Sequence, residues 1–195
     1  KPGQIEEGLD VTKLMVERIR KMVYNVLYYA KERALQTEPI SISHFAGDVA
    51  AHVETRIRSA AIHFRTDYAS DLGEFEIDTG LVRAALVNIL ENAMEACLED
   101  TRDRQHRIDF KVGSEGEWVI FDISDTGSGM SEDQRRQMFD LFYSSKGHKG
   151  TGLGLFITNK VIQKHGGDIS VDSKPGNGAT FHVRLPRRAA TVVRK

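Results

Sequence analysis

Cysteine is nearly absent: Cys97 stands alone among 195 residues. A lone thiol excludes an intrachain disulfide, and no Cys/His cluster has zinc-ligand spacing. A reducing, cytoplasmic setting fits this composition. Long hydrophobic runs are missing as well. None approaches the roughly 20 apolar residues a membrane-spanning helix needs, and no secretory leader is visible. Charge of one sign is not in excess either, since 27 Lys and Arg face 28 Asp and Glu, for a formal net charge of -1. That balance gives no general attraction to nucleic acid or to an anionic membrane, and neither is expected as a partner. The basic end, with Arg187, Arg188, Arg194 and Lys195, reads as a solvated tail.

What is present is the composition of a soluble globular chain, 40% hydrophobic and 28% charged. Its length suits one good-sized domain with an appendage. Proline is absent from residues 4–35, where Ile5, Leu9, Met15, Val16, Ile19, Met22, Val23, Val26, Tyr29 and Ala30 form one broad apolar stripe. A stripe of that width predicts a long helix in a bundle between two copies of the chain. The chain opens on Lys1, so the expectation is a piece of a longer parent, whose other regions are free to carry a membrane anchor.

Glu38-Pro39 ends the helical pattern. Ile40 and Ile42 then alternate as a short strand, and Ser43 is placed to cap a helix reaching about residue 59. Residues 61–68 alternate again, and Phe75 and Ile77 suggest a partner strand across a turn at 71–74. A helix over 81–98 carries Val82, Leu86, Ile89, Leu90, Ala93 and Cys97 on its apolar face. Strands at 106–112 and 117–124 form a hairpin. Ser131 caps a short helix, a helix spans about 152–164 and stops at Gly166-Gly167, and strands at 168–173 and 179–185 close the chain. Helices covering one face of a mixed, mostly antiparallel sheet give a two-layer α/β (α+β) sandwich, preceded by the long bundle helix.

Three segments carry chemistry. On the 81–98 helix, Asn88, Asn92 and Glu95 fall at helical spacing opposite the apolar stripe. Amide oxygens are hard, neutral ligands, and one or two of them with phosphate oxygens and water suit magnesium. Asp125 ends a strand before Thr126-Gly127-Ser128-Gly129. A carboxylate there can accept a hydrogen bond from an exocyclic amine, while Gly127 and Gly129 let a planar base approach. Gly150-Thr151-Gly152-Leu153-Gly154 opens a helix and frees backbone N–H groups for phosphate oxygens. It is neither a Walker loop nor a dinucleotide fingerprint, because the Lys-Ser/Thr and the glycine spacing of those motifs are missing.

The blocks NILENAMEA, DTGSGM, MFDLFYSSK, GTGLGL and GNGATF, in this order, resemble the catalytic ATP-binding domain of sensor histidine kinases. That family shares its larger group with gyrase, the Hsp90 chaperone and the MutL repair protein. The resemblance covers about residues 40–186, and FYSSKGHKGTGLGL together with NAMEA is most similar to the nitrogen-regulatory branch. It implies a partition into 1–37, the second helix of a dimerisation hairpin, 38–188, the catalytic domain, and 189–195, a tail. It implies ATP and Mg2+ as ligands, with Asn92 holding the metal and Asn88 beside it as a candidate second ligand near the phosphates. Asp125 would take the adenine amino group, Gly127 shape its pocket with Gly129 following, and Thr180 help through a water. Phe139 and Phe142 would anchor a lid between residues 128 and 151, and Lys146 within it would reach the γ-phosphate. Gly150, Thr151, Gly152, Leu153 and Gly154 would close over the phosphates. Catalytic work would then fall to Asn88, Asn92 and Lys146.

Two positions depart from related patterns. Asn88 stands where the hydrolysing members carry a glutamate that activates water, and an amide is no general base at neutral pH. ATP should therefore be held for transfer. Glu95 stands where many sensor kinases carry a lysine, which shifts phosphate neutralisation onto Lys146 and magnesium. None of the seven histidines, His44, His52, His63, His106, His148, His165 and His182, has the acidic and proline neighbours of a phosphoacceptor. The implied function is magnesium-dependent transfer of the γ-phosphate to a histidine on a helix upstream of Lys1, for relay to the receiver domain of a response regulator. A protein-serine kinase of the same group and a non-catalytic nucleotide-sensing module stay open as alternatives.

Overall fold

A computed structural model describes residues 34–144 and 151–188, together with Val16. The long N-terminal helix expected from the sequence, Lys146, Gly150 and the tail 189–195 lie outside the described residues. The ordered elements are β1 (Glu38–Ser41), α1 (Ile42–Ser59), β2 (His63–Tyr68), β3 (Glu74–Ile77), α2 (Thr79–Leu98), β4 (Arg107–Glu115), β5 (Trp118–Asp125), α3 (Glu132–Gln137), α4 (Gly154–Lys164), β6 (Asp168–Ser173) and β7 (Ala179–Pro186).

Five strands form one sheet in the order β2-β4-β5-β7-β6. Only β2 and β4 run parallel; the other neighbours are antiparallel. The mixed, mostly antiparallel sheet under a helical layer is the two-layer sandwich expected from the sequence. Strict alternation decides which face is covered. Val119, Phe121 and Ile123 on β5 and Phe181, Val183 and Leu185 on β7 are all buried, while the residues between them are partly exposed. The same alternation turns Asp125, the last residue of β5, toward the covered side. A carboxylate at the end of an otherwise apolar row is the first structural sign of a site.

The layers meet at an aromatic cluster. Phe121 lies 6.3 Å from Phe45 of α1, 6.0 Å from Phe75 of β3 and 6.3 Å from Phe110 of β4, centroid to centroid. Each such side chain contributes about 1.5–3 kcal/mol by leaving water. From α2, Leu86, Ile89 and Leu90 join this core with no measurable exposure.

Several local readings change. The strand at 74–77 does not pair with 63–68: β3 pairs antiparallel with β1, Ile40 opposite Phe75, in a separate two-stranded sheet. β2 instead runs parallel beside β4 at the end of the five-stranded sheet. Ser41, not Ser43, caps α1, its hydroxyl accepting from the His44 amide at 3.4 Å. Ser41 has the extended backbone an N-cap needs. Asp78 caps α2, which starts two residues earlier than expected, with Leu81 N–H donating to Asp78 Oδ1 at 3.1 Å. The β4–β5 strands run on to Glu115 and Trp118, leaving a two-residue turn with Gly116 at φ +57°. Ser131 does cap α3, in a reciprocal capping box with Gln134. No helix among the described residues is long and apolar enough to cross a membrane.

Candidate nucleotide site

The site is laid out along α2. Asn88, Asn92 and Ala96 follow at four-residue intervals, so they share one side of the helix. Each end of this row meets a glycine loop.

At the Ala96 end sits the β5–α3 turn. A Cβ on Gly127 would lie 2.5 Å from the Ala96 carbonyl carbon, so only glycine lets the turn rest on the helix backbone. Ser128 N–H donates to Ala96 O at 3.1 Å. Asp125 is 7% exposed, and its Oδ1 accepts from Gly127 N–H at 2.7 Å. Burial pushes its carboxyl up to about 6, opposed by the Gly127 and Ala179 N–H groups and by His106 and Arg104. The β6–β7 turn interlocks here. Gly178, at φ +76°, passes so close that a Cβ would sit 2.0 Å from Asp125 O.

At the Asn88 end sits the start of α4. Asn88 Nδ2 donates to Thr158 Oγ1 at 3.1 Å, and a Cβ on Gly154 would lie 2.5 Å from Asn88 Oδ1. The N-cap position of α4 is Leu153, with no side-chain cap, so the first N–H groups of the helix are left to another acceptor. Between the ends, Asn92 Nδ2 donates to Asn88 O at 2.9 Å, which commits the amino side of its amide to the helix and leaves the oxygen for an incoming ligand. Glu95 is exposed one turn on. The two ends are eight residues apart on α2, about 12 Å at 1.5 Å per residue.

The described residues on either side of 145–150 meet each other. Phe142 N–H donates to Gly152 O at 3.1 Å, and both residues have positive φ, +66° and +63°. Gly152 has no room for a Cβ, which would lie 2.3 Å from the Phe142 carbonyl carbon. Phe139 packs against the core, whereas Phe142 is 60% exposed. Thr151 Oγ1 accepts from Leu153 N–H at 3.4 Å, and Leu153 is buried. Thr180 is not brought to Asp125. Its hydroxyl shares a 2.9 Å hydrogen bond with Ser124 on the uncovered sheet face, and β7 reaches Asp125 through the Ala179 N–H instead.

A cavity of about 590 Å³ opens between α1, α2 and α4. It reaches Asn88, Thr151 and Gly154 but not Asp125, so it adjoins one end of the α2 row and not the other. Among the described residues no group of three or more His, Cys, Asp or Glu is arranged to hold a metal ion. The oxygen of Asn92 fits a cation of another kind, one that takes one or two protein oxygens and completes its shell with phosphate and water. Sequence reasoning missed Thr158, which fixes Asn88, and the Ala179 N–H. It also gave no role to Asp100, Arg102 and Arg104, which surround the turn after Asp125; their only signal was a dense run of charge in a connection.

Comparison with known proteins places this geometry in a family. The family model described as histidine kinase-, DNA gyrase B- and HSP90-like ATPase matches residues 77–189, and the chain belongs to that family. Among curated relatives, the signal transduction histidine-protein kinase AtoS of Escherichia coli K12 is 31% identical, over 93% of this chain and 29% of that protein. The circadian input-output histidine kinase CikA of Synechococcus elongatus is 31% identical, over 82% of this chain and 21% of its own length. The nucleotide-free catalytic domain of the histidine kinase ThkA superposes with a TM-score of 0.68 at 25% identity, covering 78% of this chain and 99% of that one. Full-length ShkA in complex with AMPPNP gives a TM-score of 0.76 at 26% identity, covering 89% of this chain and 36% of that one. The chain thus spans about a fifth to a third of the length of the curated relatives it matches.

Proposed function

We propose that this chain is the ATP-binding catalytic part of a two-component sensor histidine kinase. The observation that carries the reading is the two-ended row on α2. A buried carboxylate in a glycine turn lies at one end, an uncapped helix start seated on an asparagine at the other, and about 12 Å separate them. That is room for a nucleoside triphosphate with its base on Asp125 and its phosphates toward Gly152, Leu153 and Gly154. The structural relative ShkA was solved with AMPPNP, an ATP analogue, which supports the same ligand here.

On this reading Asp125 accepts from the adenine amino group, with Gly127 and Gly129 shaping the pocket. The Asn92 oxygen holds Mg2+, with Asn88 beside it. A bound magnesium ion supplies charge neutralisation for the β- and γ-phosphates. Asn88, tied to Thr158 and pressed by Gly154, orients the start of α4 against the phosphates. Lys146 and Gly150 complete the phosphate contacts from the lid, whose base is the Phe142–Gly152 junction, with Phe139 holding it to the core. Because Asn88 cannot abstract a proton from water, the γ-phosphate waits for a histidine nucleophile. That histidine comes from outside these 195 residues, on a helix that pairs with 1–37 in a cytoplasmic homodimer, and the phosphoryl group then passes to a response-regulator aspartate. The nitrogen-regulatory likeness rests on residues 142–155 and NAMEA.

The test is calorimetric binding of AMPPNP with and without Mg2+. Asp125→Ala is expected to abolish binding in both conditions. Asn92→Ala is expected to remove the gain that Mg2+ brings. Wild-type affinity in Asp125→Ala removes the site assignment.

A further inference from the structure

The connection between α2 and β4 encloses a charged cluster that the reading above leaves without a role. Asp100, whose side chain is only 4% exposed, organises two arginines. Its Oδ1 accepts from Arg102 Nε at 2.8 Å, and its Oδ2 from Arg102 Nη2 at 2.8 Å and Arg104 Nη2 at 2.7 Å. The hydrogen bonds from Arg102 hold the Asp100 carboxyl well below the usual carboxylate range. The same guanidinium groups also reach the glycine turn, Arg104 Nη2 sharing its two N–H groups among Asp100 Oδ2 and two turn carbonyls. Arg104 Nη2 bonds Thr126 O, and bonds Gly127 O at 2.9 Å. Arg102 reaches Gly127 O at 3.3 Å and, across to the β6–β7 turn, Gly176 O at 2.5 Å. His106 Nδ1 lies 3.2 Å from Thr126 O.

Planarity of the peptide bond gives these contacts a consequence. In a trans peptide the carbonyl and the following N–H point in opposite directions from one rigid plane. Thr126 O is gripped from outside by Arg104 and His106, which aims the Gly127 N–H inward, where it meets Asp125 Oδ1 at 2.7 Å. Gly127 O is gripped by both arginines, which aims the Ser128 N–H at Ala96 O at 3.1 Å. Two consecutive peptide planes are thus pinned at both edges. Glycine at 127 has the least backbone stiffness of its own to keep them so.

We propose that Asp100, Arg102 and Arg104 form a clasp that positions the Asp125 carboxylate for reading the exocyclic amine of adenine. They are positioning residues and do not touch the base. The clasp rests on the nucleotide-site reading above and adds base discrimination to it. Arg104 and His106 also favour the ionised form of Asp125, in keeping with an acceptor role.

The experiment compares ATP with purine riboside triphosphate, which lacks the 6-amino group, by calorimetry on the 195-residue chain. Their affinity ratio reports the amine contact alone, since the phosphates and ribose are shared. Arg104→Ala and Asp100→Ala are each expected to lower the ratio by about tenfold, the scale of one hydrogen bond to a charged group. Arg104→Lys keeps the charge without the fork and is expected to lower the ratio at least threefold, roughly. This milder variant serves if the alanine variants do not fold. An unchanged ratio in the clasp variants, or equal losses for both nucleotides, overturns the clasp. Asp125→Ala separates the two failures. If it keeps the wild-type ratio, the site assignment itself is lost; if it alone loses the ratio, only the clasp is.

Discussion

Asp125 is a carboxylate whose ionisation sets its use. Burial raises it from an ordinary 3.8 to about 6. Between those values the folded chain holds a proton that the unfolded chain has released. The group therefore stabilises the fold in acid, and this contribution is lost as pH rises through about 6. On the proposed reading, base recognition runs the other way. An amine donor favours the carboxylate, so amine-dependent affinity rises with pH through about 6 and levels off above it. The ratio of ATP to purine riboside triphosphate affinity is expected to fall as pH is lowered from 7.5 to 5, by up to about tenfold per unit below 6. Because both nucleotides carry the same phosphates, their titration cancels in the ratio. Asp125→Asn should flatten the profile. A ratio independent of pH in the wild-type chain would separate Asp125 from the base.

Among the elements, α4 and α2 are joined by a buried histidine rather than by apolar packing alone. His165, at the end of α4, has Nδ1 2.7 Å from Val161 O and accepts from the Asp78 N–H through Nε2 at 3.1 Å. Asp78 is also the cap of α2, so one imidazole ties the end of one helix to the start of the other. Burial lowers its pKa, and Lys164 adds to this, while the Val161 bond and the Asp78 charge oppose it. Its folded value lies below the unfolded 6.5. The unfolded chain therefore takes up the proton first, and stability falls as pH drops below about 6.5. His165→Gln, which keeps an acceptor without titrating, is expected to remove that decline between pH 7 and 5.5 in thermal melts. Asp125 contributes with the opposite sign over part of this range, so the comparison is best made in an Asp125→Asn background. The element pattern itself was largely legible, because alternation in β5 and β7 and the stripe on α2 are local properties of sequence. The β1–β3 pairing was not, because a short strand carries no mark of which edge it will join. Nor was the clasp, whose arginines acquire meaning only when the turn at 126–127 comes within reach of their side chains.

At the scale of the molecule, the glycine loops were legible because each glycine meets a demand no other residue satisfies, such as Gly127 against Ala96 and Gly178 against Asp125. What the fold adds is that these loops stand at the two ends of one helix row. Four of the described histidines have contacts of their own. His165 is buried, His182 bonds Asp122 at 2.7 Å, His106 bonds Thr126 O at 3.2 Å, and His44 lies 3.8 Å from Asp48. On the proposed reading the chain binds ATP and lacks its acceptor. Incubated with γ-labelled ATP and Mg2+, the 195 residues are expected to gain no acid-labile phosphohistidine and to release phosphate slowly. Adding a separate helical hairpin that carries a histidine with acidic and proline neighbours should produce label on that hairpin. Asn92→Ala should prevent it, and Asn88→Glu should raise phosphate release by restoring a base beside the γ-phosphate. Label on any of the seven histidines of this chain would refute the division between nucleotide holder and acceptor. Rapid steady hydrolysis by the wild-type chain would move it toward the ATPase members of its family.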